Sequence, residues 1–315
     1  MTPFILISDG FDKKLFEKLR NNQKFQVHPQ SKVSDDELKT LLPKIEGLVI
    51  RSATKVTPEI LEKASQLKYI IRAGAGTDNI DKKSCALKGV KVSNTPGANT
   101  NAAAEHAMAL MFTLLRKTAV AHHSMKNGNW EKSKYSGNEL FKKKIGILGM
   151  GRIGQTLAKR LQGFEPEISF YDPYDVKLSD PNIKQVETME QIFSHCDIIS
   201  MHLPFLEETK NIINYKFLSL MKKNALLINA SRGGILVEDD LIRVLEEEKI
   251  GGAALDVYST EPLPEDSRLR TVPNLILTPH LGASTEESQE RVGEMVLDQL
   301  DQFFIHNKLI NEVTA

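Results

Sequence analysis

Only two cysteines, Cys85 and Cys196, occur in the 315 residues, so the chain has no disulfide framework to build on. Cys85 sits in an apolar helical pattern and Cys196 at a strand edge, which predicts two buried free thiols rather than a bridge or a metal pair. No metal site is readable. Charge of one sign is also lacking: 41 Lys+Arg stand against 41 Asp+Glu. That balance removes the overall attraction expected of a nucleic-acid or anionic-membrane binder. No apolar run is long enough to span a bilayer, and the first residues, Met1-Thr2-Pro3-Phe4-Ile5-Leu6-Ile7-Ser8-Asp9-Gly10, read as a strand and turn without the basic region of a secretory leader. The expectation is a cytoplasmic protein with neither nucleic acid nor membrane as partner. Internal repeats and low-complexity tracts are absent as well. What remains is an ordinary globular composition, 41% hydrophobic and 26% charged, over a length that accommodates about two domains.

Short apolar runs alternate with amphipathic segments from the start. The runs Phe4–Ile7, Phe25–His28, Gly47–Ile50, Tyr69–Ile71 and Val90–Ser93 predict a five-strand βα array. The pattern breaks at Asn94-Thr95-Pro96-Gly97-Ala98-Asn99 and enters an unusually apolar helix from Asn101 to Lys117, of the kind buried between domains. A longer polar stretch with the single tryptophan, Trp130, follows. A second array then runs through Ile145–Leu148, Ile168–Tyr171, Cys196–His202, Ala225–Ala230, Gly252–Val257 and Leu275–Thr278. The fold class is therefore α/β: two doubly wound parallel-sheet domains, the first flavodoxin-like and the second a Rossmann nucleotide domain, with an interdomain cleft. The expected boundaries are 1–99 with 285–315 for a discontinuous substrate domain, and 100–284 for the nucleotide domain.

The most informative segment is Lys144-Ile145-Gly146-Ile147-Leu148-Gly149-Met150-Gly151-Arg152-Ile153-Gly154. An apolar strand run opens into Gly-x-Gly-x-x-Gly and then into a helical segment, Gln155–Leu161. In such a turn Gly149 permits the tight bend, Gly151 lets backbone approach phosphate, and Gly154 lets the helix pack on the strand, with the helix N-terminus facing the anion. Asp172 ends the next apolar run, 18 residues past Gly154, where a carboxylate accepts hydrogen bonds from the adenosine ribose. Its charge repels a 2′-phosphate, so the cofactor expected is NAD.

Three polar residues lie at the carboxyl ends of strands in the second array, where open α/β sheets bind ligands: Arg232, Glu261 and His280. Arg232, before Gly233-Gly234, has the forked guanidinium that grips a carboxylate. His280, in Pro279-His280-Leu281-Gly282, titrates in the range needed to take a hydroxyl proton while a cofactor takes hydride. Glu261 is the candidate to orient that imidazole, with a raised histidine pKa as the expected consequence.

In these motifs the sequence resembles the D-isomer-specific 2-hydroxyacid dehydrogenases. The glycine turn, Asn229-Ala230-Ser231-Arg232-Gly233-Gly234, Leu255-Asp256-Val257 with Glu261-Pro262, and Pro279-His280 match the family signatures in order, and the likeness covers essentially the whole chain. It implies that Arg232 binds substrate carboxylate and carbonyl, His280 is the acid/base and Glu261 its partner. It also implies that Asp256 and the backbone of Ala230 hold the nicotinamide carboxamide. Arg152, Ile153, Asp172, Leu203, Thr209, Gly282 and Ala283 would line the rest of the cofactor.

The segments Arg51-Ser52-Ala53-Thr54, Arg72-Ala73-Gly74, Met125–Glu131 and His280–Thr285 carry a narrower likeness to members of the family that act on a phosphorylated three-carbon acid. On that likeness the amides of Gly74, Ala75 and Gly76 join Arg232 on the carboxylate, while Arg51, beside Ser52, and Arg72 lie near the phosphate. The Trp130 segment resembles the family's dimer arm, which implies a homodimer in which Lys132 reaches the partner's phosphate site. Ala75 stands where close relatives have threonine, and Gly163-Phe164-Glu165 where they have Phe-Gly. Many relatives continue into serine-binding regulatory domains; with the sequence ending at Ala315, no feedback inhibition by serine is expected. Two other readings carry the same motifs: a hydroxypyruvate, glyoxylate or D-lactate enzyme of the family, and an NAD-sensing corepressor-like binding protein.

Overall fold

The computed structural model describes residues 2–314, which divide into two units, one holding positions 2–99 and 283–314 and the other 100–282. The first unit is a five-stranded parallel sheet built from β1 (Phe4–Ile7), β2 (Gln26–Val27), β3 (Gly47–Ile50), β4 (Tyr69–Arg72) and β5 (Lys91–Asn94) in the order β2-β1-β3-β4-β5. Its inner strands are apolar without alternation because helices cover both faces of a parallel sheet. On one face Leu6, Leu48, Ile50, Ile70 and Val92 are buried against Leu38, Leu42 and Leu61; on the other Ile5, Ile7, Val49, Tyr69 and Ile71 pack against Phe16 and Leu19.

The last part of the chain closes this second face. The helix Glu286–Phe304 contributes Val292, Val296 and Leu300 to that core, and the Phe303 ring stacks on Tyr69 with centroids 4.2 Å apart. Gly293 has no side chain because a Cβ there would lie 2.3 Å from Leu15 Cδ1. Beyond the helix, Glu312 bridges Ser93 antiparallel and the Val313 N–H donates to the Val92 carbonyl at 2.8 Å. The chain changes unit between Gly282 and Ala283, so Ala283 and Ser284 belong with the first unit rather than with a nucleotide domain extending to 284. The helical N-cap Thr285, whose hydroxyl accepts from the Ser288 N–H, is the signal that drew the expected boundary two residues late.

The second unit is a seven-stranded parallel sheet. Its strands are β6 (Lys144–Leu148), β7 (Glu167–Tyr171), β8 (Lys184–Gln185), β9 (Ile198–Met201), β10 (Leu226–Asn229), β11 (Gly252–Leu255) and β12 (Leu275–Leu277), in the order β12-β11-β10-β9-β6-β7-β8. This is the doubly wound nucleotide-binding order, in which the strand sequence reverses between β6 and β9. The expected array of six strands lacks β8: two exposed residues, Lys184 and Gln185, carry no apolar signal at all. The alanine-rich helix observed at Thr100–Arg116 lies on one face, with Ala104, Ala107, Leu110, Met111 and Leu115 in one cluster with Ile145, Ile147, Ile228 and Ala254. Both cysteines are buried and unpaired, and burial pushes each thiol up to about 11. Among the described residues no helix is long and apolar enough to cross a membrane.

Candidate active site

The strand-order reversal places the end of β6 beside the end of β9, and the glycine turn fills the space between them. Gly149 has φ +90°, a left-handed backbone that an L side chain resists, and a Cβ there would lie 2.7 Å from the His202 carbonyl oxygen. Gly154 is excluded from larger residues by packing instead: its Cβ would meet the Gly149 oxygen at 2.4 Å. At Gly151 a Cβ would face open space, which is where a ligand must come close to backbone. Gly151 is also the N-cap of the helix Arg152–Leu161, which starts three residues earlier than expected. Having no side chain, it leaves the N–H groups of the first turn, including those of Arg152 and Ile153, to an anion.

Asp172, at the end of β7, is locked to this turn. Its Oδ2 accepts the Met150 N–H at 2.8 Å and its Oδ1 the Tyr174 N–H at 3.1 Å. A turn with one positive-φ glycine, one glycine open to space, an uncapped helix start and a fixed carboxylate suits a dinucleotide with an unphosphorylated ribose. Leu203 is buried beside the turn, whereas the Thr209 hydroxyl is taken up in its own loop, donating to the Pro204 carbonyl at 2.7 Å and accepting from the Leu206 N–H at 2.8 Å.

His202 follows β9 with its Nε2 2.9 Å from Ser200 Oγ, and burial pushes its pKa down to about 4. Unfolded, the imidazole protonates near its ordinary value of 6.5, so the unfolded chain binds a proton that the folded one refuses as pH falls from about 6.5 to about 4. Stability is therefore complete above that window and lost through it. Urea unfolding of the parent is expected to weaken by about 2 kcal/mol more than that of His202→Asn between pH 7 and pH 5. Equal losses in the two proteins would show that His202 is already charged in the native state.

Arg232, Glu261 and His280 converge at the carboxyl ends of β10, β11 and β12. His280 Nδ1 lies 2.7 Å from Glu261 Oε2. Burial alone would raise the Glu261 pKa; the His280 hydrogen bond and charge, the Tyr258 N–H at 3.1 Å and the Arg232 charge outweigh it and hold the carboxyl below its ordinary value. The carboxylate is thus ionised wherever His280 needs a counter-charge. His280 itself has φ +56°, uncommon for a residue with a side chain, and its N–H donates to the Thr278 carbonyl at 3.0 Å.

The Arg232 loop is held by its neighbours. The buried Asn229 donates from Nδ2 to the Arg232 carbonyl at 2.9 Å and accepts the Ser231 N–H at 3.1 Å. A Cβ on Gly233 would come 1.9 Å from the Tyr258 carbonyl carbon, so only glycine lets this loop press against the segment that leads to Glu261. Ala230 lies on the same loop. Asp256 is fully buried: Oδ1 accepts from Thr278 Oγ1 at 2.6 Å and from the Leu281 N–H at 2.7 Å, and Oδ2 accepts from the Gly282 N–H at 2.8 Å. The expectation of Asp256 as simply a cofactor contact misses this second task of binding the His280 loop. Asn229, Thr278 and Tyr258 stand in or beside the motifs read from the sequence, yet nothing there assigns them a role: Asn229 braces its own loop at Ser231 and Arg232, Thr278 bonds the Asp256 carboxylate, and Tyr258 donates to the Thr278 carbonyl.

In the first unit Arg51 and Arg72 end the adjacent strands β3 and β4, where Ile50 pairs with Arg72. The Arg51–Thr54 loop is fixed by Asp9 Oδ2, which accepts the Arg51 and Thr54 N–H groups at 2.7 and 2.9 Å, and by Asn79 Nδ2, which donates to both of their carbonyls at 2.7 Å. Burial lowers the Arg51 pKa while the Asp9 charge works to raise it. Ser52 on this loop is exposed. Gly74 has φ +151°, and a Cβ there would lie 1.4 Å from Arg72 Nη1, so the guanidinium needs glycine beneath it. The Ala75 carbonyl, next to Gly76, accepts from Asn94 Nδ2 at 2.6 Å. Lys132 is exposed at the start of a short 3-10 turn, Lys132–Tyr135, two residues after Trp130, which is 81% exposed.

With this geometry in place, comparison with known proteins is informative. The family profile described as "D-isomer specific 2-hydroxyacid dehydrogenase, NAD binding domain" matches residues 108–282. The chain is 42% identical over 300 residues to a D-3-phosphoglycerate dehydrogenase of Synechocystis sp., covering 94% of this chain but 53% of that protein. It is 40% identical over 296 residues to a hydroxypyruvate reductase of Thermotoga maritima, covering 93% of this chain and 96% of that one. A solved structure of NAD-dependent formate dehydrogenase from Staphylococcus aureus in complex with NAD superposes with a TM-score of 0.86 at 31% identity, over 100% of this chain and 99% of the other. The chain spans about half the length of the phosphoglycerate dehydrogenases it matches, 53% of the Synechocystis protein and 58% of the human one. It belongs to the D-isomer specific 2-hydroxyacid dehydrogenase family, and its second unit carries the NAD-binding domain of that family.

Proposed function

We propose that this protein is an NAD-dependent dehydrogenase that oxidises D-3-phosphoglycerate to 3-phosphohydroxypyruvate, the first step of serine biosynthesis. The observation that carries the chemistry is the 2.7 Å contact between His280 Nδ1 and Glu261 Oε2 with the Arg232 charge acting on the same carboxylate. When bound, the nicotinamide ring supplies the two-electron acceptor for the hydrogen leaving C2 of the substrate. His280 takes the C2 hydroxyl proton on Nε2, because Nδ1 is committed to Glu261. Glu261, kept ionised, stabilises the imidazolium that results. Arg232 binds the carboxylate in a fork and steadies the carbonyl as it forms. Gly149, Gly151, Gly154, Arg152 and Ile153 are assigned to the pyrophosphate, Asp172 to the adenosine ribose, and Leu203, Thr209, Ala230, Asp256, Gly282 and Ala283 to the rest of the cofactor.

The phosphate is assigned to Arg51 and Arg72 with Ser52, and the amides of Gly74, Ala75 and Gly76 join Arg232 on the carboxylate. The Asp9–Asn79 bracing of the Arg51 backbone supports this, since a loop already fixed loses little freedom when its side chain binds an anion. The exposed Trp130 segment supports a homodimer, with Lys132 offered to the partner's substrate phosphate.

A second reading is favoured by one observation: the chain is 40% identical to a hydroxypyruvate reductase, nearly the 42% it shares with a phosphoglycerate dehydrogenase. NADH fluorescence decay with 3-phosphohydroxypyruvate, hydroxypyruvate, glyoxylate and pyruvate separates the two. The expected result is a kcat/KM for the phosphorylated acid at least about 10²-fold above the others, the worth of one charge-assisted grip of about 3 kcal/mol. Preference for hydroxypyruvate would transfer the assignment to the reductase.

A further inference from the structure

We propose that His106, through Asp256 and Thr278, is a positioning residue for the acid–base step: it fixes the backbone of the loop that carries His280 without touching the reacting groups. The inference rests on the reading of His280 as the acid/base. His106 lies on the helix Thr100–Arg116, and its Nε2 is 3.1 Å from Asp256 Oδ1 and 3.2 Å from Thr278 Oγ1. A carboxylate only accepts, so Nε2 is the protonated nitrogen of the ring and donates to Asp256. The Thr278 hydroxyl donates to the same Oδ1 at 2.6 Å. Asp256 has no exposed surface, and a buried carboxylate persists only when its lone pairs are occupied by donors.

Those lone pairs grip the loop on both sides of His280. Thr278, two residues before it, is held by its hydroxyl to Asp256, and its carbonyl receives the Tyr258 hydroxyl at 2.9 Å and the His280 N–H at 3.0 Å. Leu281 and Gly282, the two residues after it, donate their N–H groups to Asp256 at 2.7 and 2.8 Å. Between these anchors His280 is kept at φ +56°, which aims its Nδ1 at Glu261. A left-handed non-glycine residue relaxes unless its surroundings over-determine it, and the Asp256 carboxylate is what over-determines it here. Burial by itself would push the Asp256 proton affinity up; the His106 and Thr278 hydrogen bonds and the Leu281 N–H outweigh it and keep the carboxyl below its ordinary value. His106 thus supplies a fourth donor to a buried anion that is otherwise held only by the loop it fixes, through Thr278, Leu281 and Gly282. All of these residues lie in the second unit.

The test compares the parent with His106→Leu, which removes the donor, and His106→Gln, whose amide restores one at similar reach. Amide hydrogen exchange of Leu281 and Gly282 is followed together with kcat, KM and melting temperature. In His106→Leu, exchange at these two amides is expected to accelerate about 10-fold or more and kcat to fall at least about 5-fold with KM little changed. His106→Gln is expected to return both to within about 3-fold of the parent. Unchanged exchange in His106→Leu, or faster exchange with unchanged kcat, overturns the proposal, as does a glutamine variant as impaired as the leucine one. If His106→Leu does not fold, Thr278→Val removes the other side-chain donor and is read by the same two measurements. A parent that turns over no 2-hydroxy acid defeats the function reading instead, and the exchange comparison then decides the loop assignment alone.

Discussion

Replacing His280 with alanine is expected to lower turnover about 10²-fold or more while leaving NAD affinity within about 2-fold of the parent, since the loss is that of a general base and not of a cofactor contact. Among the described residues the imidazole is held at Nδ1, bound to Glu261 Oε2 at 2.7 Å, and in the proposed reaction Nε2 meets the substrate hydroxyl. Water can replace the base but not its position, and the rate falls accordingly. Glu261→Gln keeps an acceptor for Nδ1 and loses the negative charge, so its turnover falls between the two. In the parent Glu261 is held below its ordinary value, so the pair loses its counter-charge only when pH drops through that lowered pKa; above it the carboxylate is present throughout. Steady-state turnover with dinucleotide titration by fluorescence checks the set. Parental turnover in His280→Ala would remove His280 from the chemistry.

Arg232→Gln is expected to lower kcat/KM for the hydroxy acid about 10²- to 10³-fold, most of it in KM, because the two charge-assisted hydrogen bonds of a fork on a carboxylate together contribute about 3–4 kcal/mol. Arg232→Lys should recover only part of this: an ammonium keeps the charge and cannot present two parallel donors. The loop that holds the guanidinium is braced by Asn229 and by the close pass of Gly233 against Tyr258, so neither substitution disturbs the glycine turn at the end of β6, and melting temperature should stay within a few degrees. Substrate saturation curves decide it. An unchanged KM in Arg232→Gln would assign the carboxylate to another group.

Much of this molecule was legible before any coordinates. Parallel strands buried on both faces leave uninterrupted apolar runs, so eleven of the twelve described strands could be read off as runs such as Ile145–Leu148 and Ala225–Ala230. The exception has a physical cause. β8 is the two residues Lys184 and Gln185 at one edge of the seven-stranded sheet, and an edge strand half in water has no need of an apolar run. The site was legible in the same local way. Gly149 makes the bend and Gly154 the close packing that their spacing suggests, since the constraint at each is set by atoms a few residues away or in the next strand.

What the sequence by itself determined is therefore everything with a short-range cause: the βα alternation, the glycine turn, the residues placed at strand ends, and the candidates Arg232, Glu261 and His280. Only the tertiary structure decided how those candidates are held. His106 and Asp256 are 150 positions apart in the chain and 3.1 Å apart in space, and no periodicity or motif encodes that meeting. The same holds for Gly233 against Tyr258, Asp9 under Arg51 and the return of Glu312 to Ser93. A hydrogen bond or a backbone contact between distant segments leaves no trace in local composition, because any residue with a donor of the right reach satisfies it once the sheet has brought the two segments together.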